Sequence, residues 1–502
     1  MPIESHPSEP AVGLSPQEAL PGLATAFDEE AMKGYVQAAL FGTDRPSYTV
    51  ERCTPTRPLY VPGKSCVLRY RFQARNSTSG EVLEPIVMGR VFPNRSTCAA
   101  YMSDKLAPLA VRMRGRPEVA AFVAPAAMID ALNMVVHVWP VDGELPTLVD
   151  ATDRRRMIDV FREELPTALK QPFVVADCQV ELVSYRRRQR CVLRYTIAGK
   201  TAGGDDVRSL IVYGKVSASG NETLNSRMLD ALRDRIRQPA ALYQFTLPRS
   251  FGSRPDLQLS LLEALRGEAQ VGPALKARLR GQPPPGALPL EEMVATCGYV
   301  AAMLHASGVE LGRPRTLEDE LAGLLGQIAS ARQFVPSFGD RVQSLVERIA
   351  AFAELSEPLT PCLSHGDFKH EQLLFDGAGS GLVDFDAMCQ AEPALDLGKF
   401  LAHLRAEAEK IRKRASVSSP LDEELADRFL RAYVGAAGDH VEDERRLRLR
   451  TTLYEAIALL RLALRSQQDL DETRLESTAA LLEERISAIA RDRLMNRGTH
   501  AK

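Results

Sequence analysis

The apolar positions of this chain change period partway along it. In the front half short apolar runs alternate with polar turns. Cys66–Phe72 and Pro85–Phe92 read as strands, and so do Cys191–Ile197 and Ser209–Val216. Polar turns at 76–80 and 199–206 join each pair as a hairpin. Helical spacing precedes each hairpin, at Asp28–Leu40 and Thr152–Leu169, and follows it, at Thr97–Met113 and Glu222–Arg237. Met134–Trp139 and Leu257–Leu262 then add a further strand to each series. From Leu290 the spacing is mostly helical, in segments Leu290–Ser307, Leu317–Gln333, Asp340–Leu355, Asp396–Lys413, Leu421–Val434, Glu444–Ser466 and Glu472–Asn496. The last two set Arg and Glu between their apolar positions, which suits solvated amphipathic helices on a core. Gln282-Pro283-Pro284-Pro285-Gly286 separates the two regimes as a stiff spacer.

The front half repeats itself. Cys66-Val67-Leu68-Arg69-Tyr70 recurs 125 residues later as Cys191-Val192-Leu193-Arg194-Tyr195. The same offset relates Asp28 to Asp153, Met32 to Met157, Cys53 to Cys178, Tyr60 to Tyr185, Ile86-Val87 to Ile211-Val212, and Gly89-x-Val91 to Gly214-x-Val216. One ungapped offset argues for duplication. Later parts match less closely, Gly143-Glu144 facing Gly267-Glu268. The expected organisation is a disordered leader at 1–27, a first unit at 28–150, a second at 151–280 and a helical region at 281–502. The leader rests on Met1–Gly22, rich in Pro, Glu and Ser without a basic-then-apolar signal pattern.

Composition narrows the class. With 502 residues, 45% apolar and 25% charged, the chain suits a soluble protein of two or three domains. A net charge of −2 gives no general attraction to nucleic acid or anionic membrane, so neither is an expected partner. No apolar run reaches the roughly 18–20 residues of a membrane span. The eight cysteines lack metal-ligand spacing and sit mostly in apolar runs, as expected of reduced thiols in a cytoplasmic protein.

The chemistry concentrates in Ser364-His365-Gly366-Asp367-Phe368-Lys369-His370-Glu371-Gln372 and Leu382-Val383-Asp384-Phe385-Asp386. Asp367 falls on a loop, Gln372 lies five residues on, and Asp384 follows an apolar run. One Asp can accept the proton of an attacking hydroxyl, while the amide and the second Asp hold Mg²⁺ against nucleotide phosphates. A hairpin through Leu373-Leu374-Phe375, Asp376-Gly377 and Leu382-Val383 would bring them together. Either Asp by itself reads equally as a solvated turn residue.

This order resembles the aminoglycoside phosphotransferase and choline kinase-like superfamily, whose fold is protein-kinase-like. The family loop His-Gly-Asp-x-x-x-x-Asn corresponds to His365-Gly366-Asp367 through Gln372. The metal Asp of Ile-Asp-Phe or Ile-Asp-Trp corresponds to Asp384, and Asp-Leu-Ala/Gly to Asp396-Leu397-Gly398. An upstream helix ending in Leu-His matches Leu304-His305. The ordered set covers about the last half of the chain and is far more specific than any one motif. Gln372 departs from the usual Asn; it keeps the carbonyl ligand and adds one methylene.

The resemblance implies an α+β, bilobal protein-kinase-like fold, with a duplicated small N-lobe-like unit and a mainly helical C-lobe. The second unit adjoins the catalytic half and would be the working N-lobe; the first would be a diverged copy or a cap. Asp367 would face the acceptor hydroxyl, with Lys369 near the γ-phosphate. Gln372 and Asp384 would hold Mg²⁺, His365 would shape the loop, and Asp396 would brace it. Lys215 would reach the α/β-phosphates, the alternative being an edge-strand Lys in water. The first unit has Arg90 there and is not expected to carry catalysis. Glu222 or Asn225 would orient Lys215. The nucleotide turn Tyr185-Arg186-Arg187-Arg188-Gln189-Arg190 has no Gly. Arg188 and Arg190 would serve as phosphate donors there, or the turn is simply a solvated basic one. Asp386 would touch a second metal or cap the next turn; His305 and His403 read as packed helix residues.

The expected function is ATP-dependent phosphoryl transfer to a hydroxyl of a sugar, amino sugar or amino alcohol, with Mg²⁺ as cofactor. The alternative is a nucleotide-binding pseudokinase or regulatory scaffold without turnover. A protein kinase is disfavoured, because an Ala-Pro-Glu segment and a long activation loop are missing.

Overall fold

The computed structural model describes residues 16–468 except 45, 62, 187–188, 202–207, 237–243, 285, 287, 335, 355, 378 and 416–419, together with 480, 483–484 and 487. The expected helix Glu472–Asn496 therefore lies almost wholly outside the described residues.

Two antiparallel sheets fill the front half. The first contains β1 (Tyr48–Val61), β2 (Ser65–Asn76), β3 (Val82–Leu83), β4 (Val87–Val91), β5 (Ala126–Ile129) and β6 (Met134–Val138), in the order β1-β2-β4-β6-β5 with β3 on β2. The strands that follow are β7 (Phe173–Arg186), β8 (Arg190–Thr201), β9 (Arg208–Ser217), β10 (Phe245–Thr246), β11 (Ser250–Arg254) and β12 (Leu259–Glu263). The second sheet has the order β7-β8-β9-β12-β11. Apart from β3, which has no counterpart among the described residues, the two orders are the same.

The agreement reaches single contacts. Asp28 caps the helix Glu29–Val36 by accepting from the Ala31 amide, and Asp153 caps Arg154–Leu169 by accepting from the Arg156 amide. The buried Tyr70 hydroxyl donates to the Ala26 carbonyl at 2.9 Å, and that of Tyr195 to the Ala151 carbonyl at 2.8 Å. A Cβ on Gly89 would lie 2.9 Å from the Tyr70 ring, and one on Gly214 would lie 2.3 Å from the Tyr195 ring. Each glycine is thus required by the tyrosine packed over its strand. Asn133 and Gln258 both turn through left-handed backbone, with φ of 46° and 51°. The 125-residue correspondence therefore persists through β6 and β12, where the side chains match less closely. Met134 facing Leu259 shows why: an apolar position tolerates the exchange without moving the strand.

The expected leader is too long. Leu20, Leu23 and Ala26 are buried against the first sheet, and short helices form at Pro16–Ala19 and Leu23–Ala26. Apolar spacing, not the average composition of the segment, decides its fate.

The second half adds β13 (Cys362–Ser364), β14 (Leu373–Phe375), β15 (Ser380–Leu382) and β16 (Cys389–Ala391) among long helices. β13 pairs with β16, and the β14–β15 hairpin takes β10 as a parallel third strand. The helix Leu290–His305 packs along Leu421–Ala437, and Ala394–Ala415 along Glu444–Gln468. A Cβ on Gly398 would lie 2.5 Å from the Glu455 amide nitrogen, so the last pair meets backbone to backbone. That contact fixes the turn carrying Asp396. One core joins Met228, Leu229 and Leu232 of the helix Glu222–Arg235 to Met293, Leu363 and Phe429 of the helical region, so the second sheet unit is welded to it. The first sheet has a core of its own, while Trp139 and Leu145 just beyond it pack into the core of the second. Among the described residues no helix is long and apolar enough to cross a membrane.

Candidate active site

β13 delivers the chain to His365. Gly366 follows with φ +76°, and a Cβ there would lie 2.0 Å from the Ala387 carbonyl oxygen, so only glycine fits. Asp396, fully buried, accepts from the amides of His365 at 2.6 Å and Gly366 at 2.8 Å and bonds His305 Nε2 at 3.1 Å. Burial works to raise the Asp396 carboxyl, and His305 and His365 outweigh it, holding the group ionised below its ordinary value. His305 Nδ1 in turn meets the Tyr433 hydroxyl at 3.0 Å. His305 is therefore part of the loop's support as well as of the helix packing. His365 Nε2 reaches the Val383 carbonyl at 3.0 Å, tying the loop to the strand end that carries Asp384.

Asp384 has a left-handed backbone, φ 74° and ψ 54°, uncommon for a residue with a Cβ. Its carboxylate gathers three side chains. Arg190 binds it through two nitrogens at 2.7 and 3.0 Å, Gln372 donates its amide at 2.9 Å, and the Lys215 ammonium contacts the same carboxylate. Burial would raise the Asp384 carboxyl, but Lys215 and Arg190 hold it far below the ordinary carboxylate range. Asp386 does not simply cap a turn: it pairs with Lys215 at 2.5 Å and Arg190 at 3.5 Å. β9 lies inside its sheet between β8 and β12, so Lys215 is no edge-strand lysine.

Asp367 pairs with Lys369 at 2.9 Å and faces a cleft of about 370 Å³ shared with Asp384 and Asp386. Burial works against its ionisation, and Lys369 and Lys399 overcome it, leaving the carboxyl below its usual value. The structure thus brings together Asp367, Lys369, Gln372, Asp384, His365, Asp396, Lys215 and Arg190. Arg188 lies outside the described residues. Glu222 and Asn225 are not among the described partners of Lys215, and Glu222 Oε1 is buried without a hydrogen-bond partner among the described residues.

Sequence reading missed a second group. Arg315, Lys399, His403 and Arg461 also line the cleft. Arg315 and Arg461 both bind the buried Glu320, and the Lys399 ammonium donates to the Gly366 carbonyl next to Asp367. Lys399 alone left a local signal, directly after Asp396-Leu397-Gly398. Arg90, at the Lys215 position of the first unit, is engaged elsewhere. It pairs with Glu144 at 2.6 Å, donates to Ser65 Oγ at 3.1 Å and lies over the Tyr101 ring.

A glycine-turned loop braced from behind, an ionised Asp beside it and a second Asp under a sheet lysine thus come together at one place in the fold. The sequence model of APH, the phosphotransferase enzyme family, matches residues 227–486, a little over half of the chain. The chain belongs to that family. No curated protein matches it. It is similar to solved structures of a choline/ethanolamine kinase family protein from Mesorhizobium loti (15% identity, 62% of this chain and 92% of the other, TM-score 0.40). It is also similar to choline kinase LicA from Streptococcus pneumoniae (15%, 66% and 99%, 0.39). A third is a spectinomycin phosphotransferase in complex with ADP and spectinomycin (11%, 67% and 98%, 0.39).

Proposed function

We propose that this phosphotransferase moves the γ-phosphoryl group of ATP to a hydroxyl of a small molecule of the size of a sugar or amino alcohol. The observation that carries the reading is that Asp367 and Asp384, from one loop and hairpin, share a cleft with Arg190 of β8, while Lys215 of β9 holds Asp384. Lys215 and Arg190 would turn to the nucleotide phosphates, since each already holds an anionic oxygen in that place. Asp367, kept ionised, would accept a hydrogen bond from the acceptor hydroxyl and aim it. Its depressed pKa suits orientation better than early proton removal. Lys369 beside it would offset negative charge developing on the transferred group. With this set intact, nothing favours a scaffold without turnover.

The oxygens at the site fit Mg²⁺. Gln372 lies 2.9 Å from Asp384, so its amide oxygen, turned over, and the ionised carboxylate can serve one hard cation, with Asp386 adjoining. When bound, the ion would supply charge neutralisation to the phosphates.

The matched sheet orders and contacts support reading residues 28–150 as a diverged copy of the working N-lobe at 151–280, with the C-lobe at 281–502. Calorimetric titration of Mg·ATP into wild type and Asp384→Ala tests the site. The wild type should bind with Mg²⁺ dependence, and the variant should lose at least tenfold in affinity. Equal affinity would move the metal and the phosphates elsewhere.

A further inference from the structure

The cleft has two halves of different charge. On the nucleotide half Arg186, Arg190 and Lys215 stand against Asp384 and Asp386, three cations against two carboxylates. The other half is walled by Arg315, by the helix Leu317–Phe334 that follows it, and by the helices Ala394–Ala415 and Glu444–Gln468. There, among the described residues, Arg315, Lys399, Arg461 and Lys369 stand against Glu320 and Asp367, four cations against two carboxylates. Both halves are positive, and the larger surplus lies on the side away from the nucleotide groups.

These cations are fixed. Glu320, its side chain only 2% exposed, is gripped by both Arg315 and Arg461, whose own side chains remain 27% and 18% exposed and face the cleft. Lys399 is anchored on the Gly366 carbonyl, one residue from Asp367. A buried carboxylate thereby positions two guanidinium forks beside the place where an acceptor meets Asp367. Such forks match the oxygens of carboxylate or phosphate. A concave wall of one sign concentrates ligands of the other and repels ammonium groups.

We infer that the acceptor is a hydroxyl compound bearing an anionic group, carboxylate or phosphate, held by Arg315, Arg461 and Lys399 while its hydroxyl faces Asp367. This rests on the phosphoryl-transfer reading above and narrows it away from amino sugars and amino alcohols. In the reaction the acceptor oxygen bonds to the γ-phosphorus, and the bond from that phosphorus to the β,γ-bridging oxygen breaks. ADP leaves with the electron pair, and the hydroxyl proton passes to Asp367 and then to water.

The test compares glucose, glucosamine, gluconate and glucose 6-phosphate as acceptors with Mg·ATP, by ADP release and by phosphorus NMR of the product. The expected result is a kcat/KM at least tenfold higher for gluconate or glucose 6-phosphate than for glucose and glucosamine; which anion leads separates carboxylate from phosphate. Arg461→Gln should raise the KM of the anionic acceptor at least tenfold with the KM of Mg·ATP little changed, and Arg461→Lys should restore part of it. Lys399→Met gives the same readout should Arg461→Gln not fold. Preference for glucose or glucosamine overturns the inference and leaves the kinase reading standing. Failure of the wild type to bind Mg·ATP overturns the kinase reading itself. If none of the four is phosphorylated, inorganic phosphate and malonate are titrated calorimetrically into enzyme filled with Mg·AMP-PNP. Saturable binding weakened tenfold by Arg461→Gln supports the inference; no saturable binding, or binding indifferent to the substitution, overturns it.

Discussion

Asp396→Asn isolates the support of the catalytic loop from its chemistry. The side chain keeps its shape, but one carboxylate oxygen becomes an NH₂ group. Asp396 takes the His365 amide and His305 on one oxygen and the Gly366 amide on the other. Whichever oxygen is replaced, at least one buried backbone N–H then faces a donor. Losing a hydrogen bond to a charged acceptor and stranding its buried partner costs about 3 kcal/mol. Part of this is stability and part is the position of Asp367, since Gly366 has nowhere to move against the Ala387 carbonyl. Urea denaturation should show a loss of about 2–4 kcal/mol. Turnover should fall at least tenfold while the KM of Mg·ATP changes by less than threefold, because no nucleotide-side residue touches Asp396. A variant within about 0.5 kcal/mol of wild type in stability, the range of an ordinary surface change, and unchanged in turnover, would refute the bracing role.

Two further outcomes follow from the same geometry. Lys215→Ala should reduce turnover at least a hundredfold, whereas Arg90→Ala should leave turnover within threefold and only loosen the first unit, where its partners are Glu144, Ser65 and Tyr101; paired steady-state assays decide, and the reverse pattern would exchange the roles of the two units. Burial, and next Arg315, push the Lys399 ammonium down from 10.5 to about 8, against the pull of Glu320 and Asp367 and with Arg461 opposing it further. Above pH 8 the folded protein holds fewer protons here than the unfolded chain. This group's contribution to stability therefore rises with pH between about 8 and 10.5. Its charge in the cleft fades over the same interval, so the KM of an anionic acceptor should climb from pH 7.5 to 9 while that of Mg·ATP stays level. A flat acceptor KM would count against Lys399.

The parts of the site that were legible in the sequence are those fixed by local spacing. Asp367, Gln372 and Asp384 lie within one loop and hairpin, and the hairpin forms with Leu373 opposite Leu382. Lys215 was legible because the repeat placed it on a strand, where it pairs in register with Val192, and Arg190 because it ends a basic turn without Gly. The second cluster was not. Glu320 and Arg461 are 141 residues apart and meet only because two helices pack, and no spacing rule connects them. The grip on Asp384 by Arg190 was likewise invisible, since sequence shows a basic turn but not what it faces. In the leader, three buried apolar positions decide the local structure, and a composition dominated by Pro, Glu and Ser hides them.

The central claim, that Asp367 presents the acceptor to a nucleotide held by Lys215, Arg190 and Asp384, is tested most directly by Asp367→Asn, which keeps the size of the side chain and removes its charge. Turnover should fall by roughly a thousandfold or more, the scale of losing an acid–base group that also positions the nucleophile, with Mg·ATP affinity within threefold of wild type. Turnover equal to wild type on the same acceptor would contradict the account.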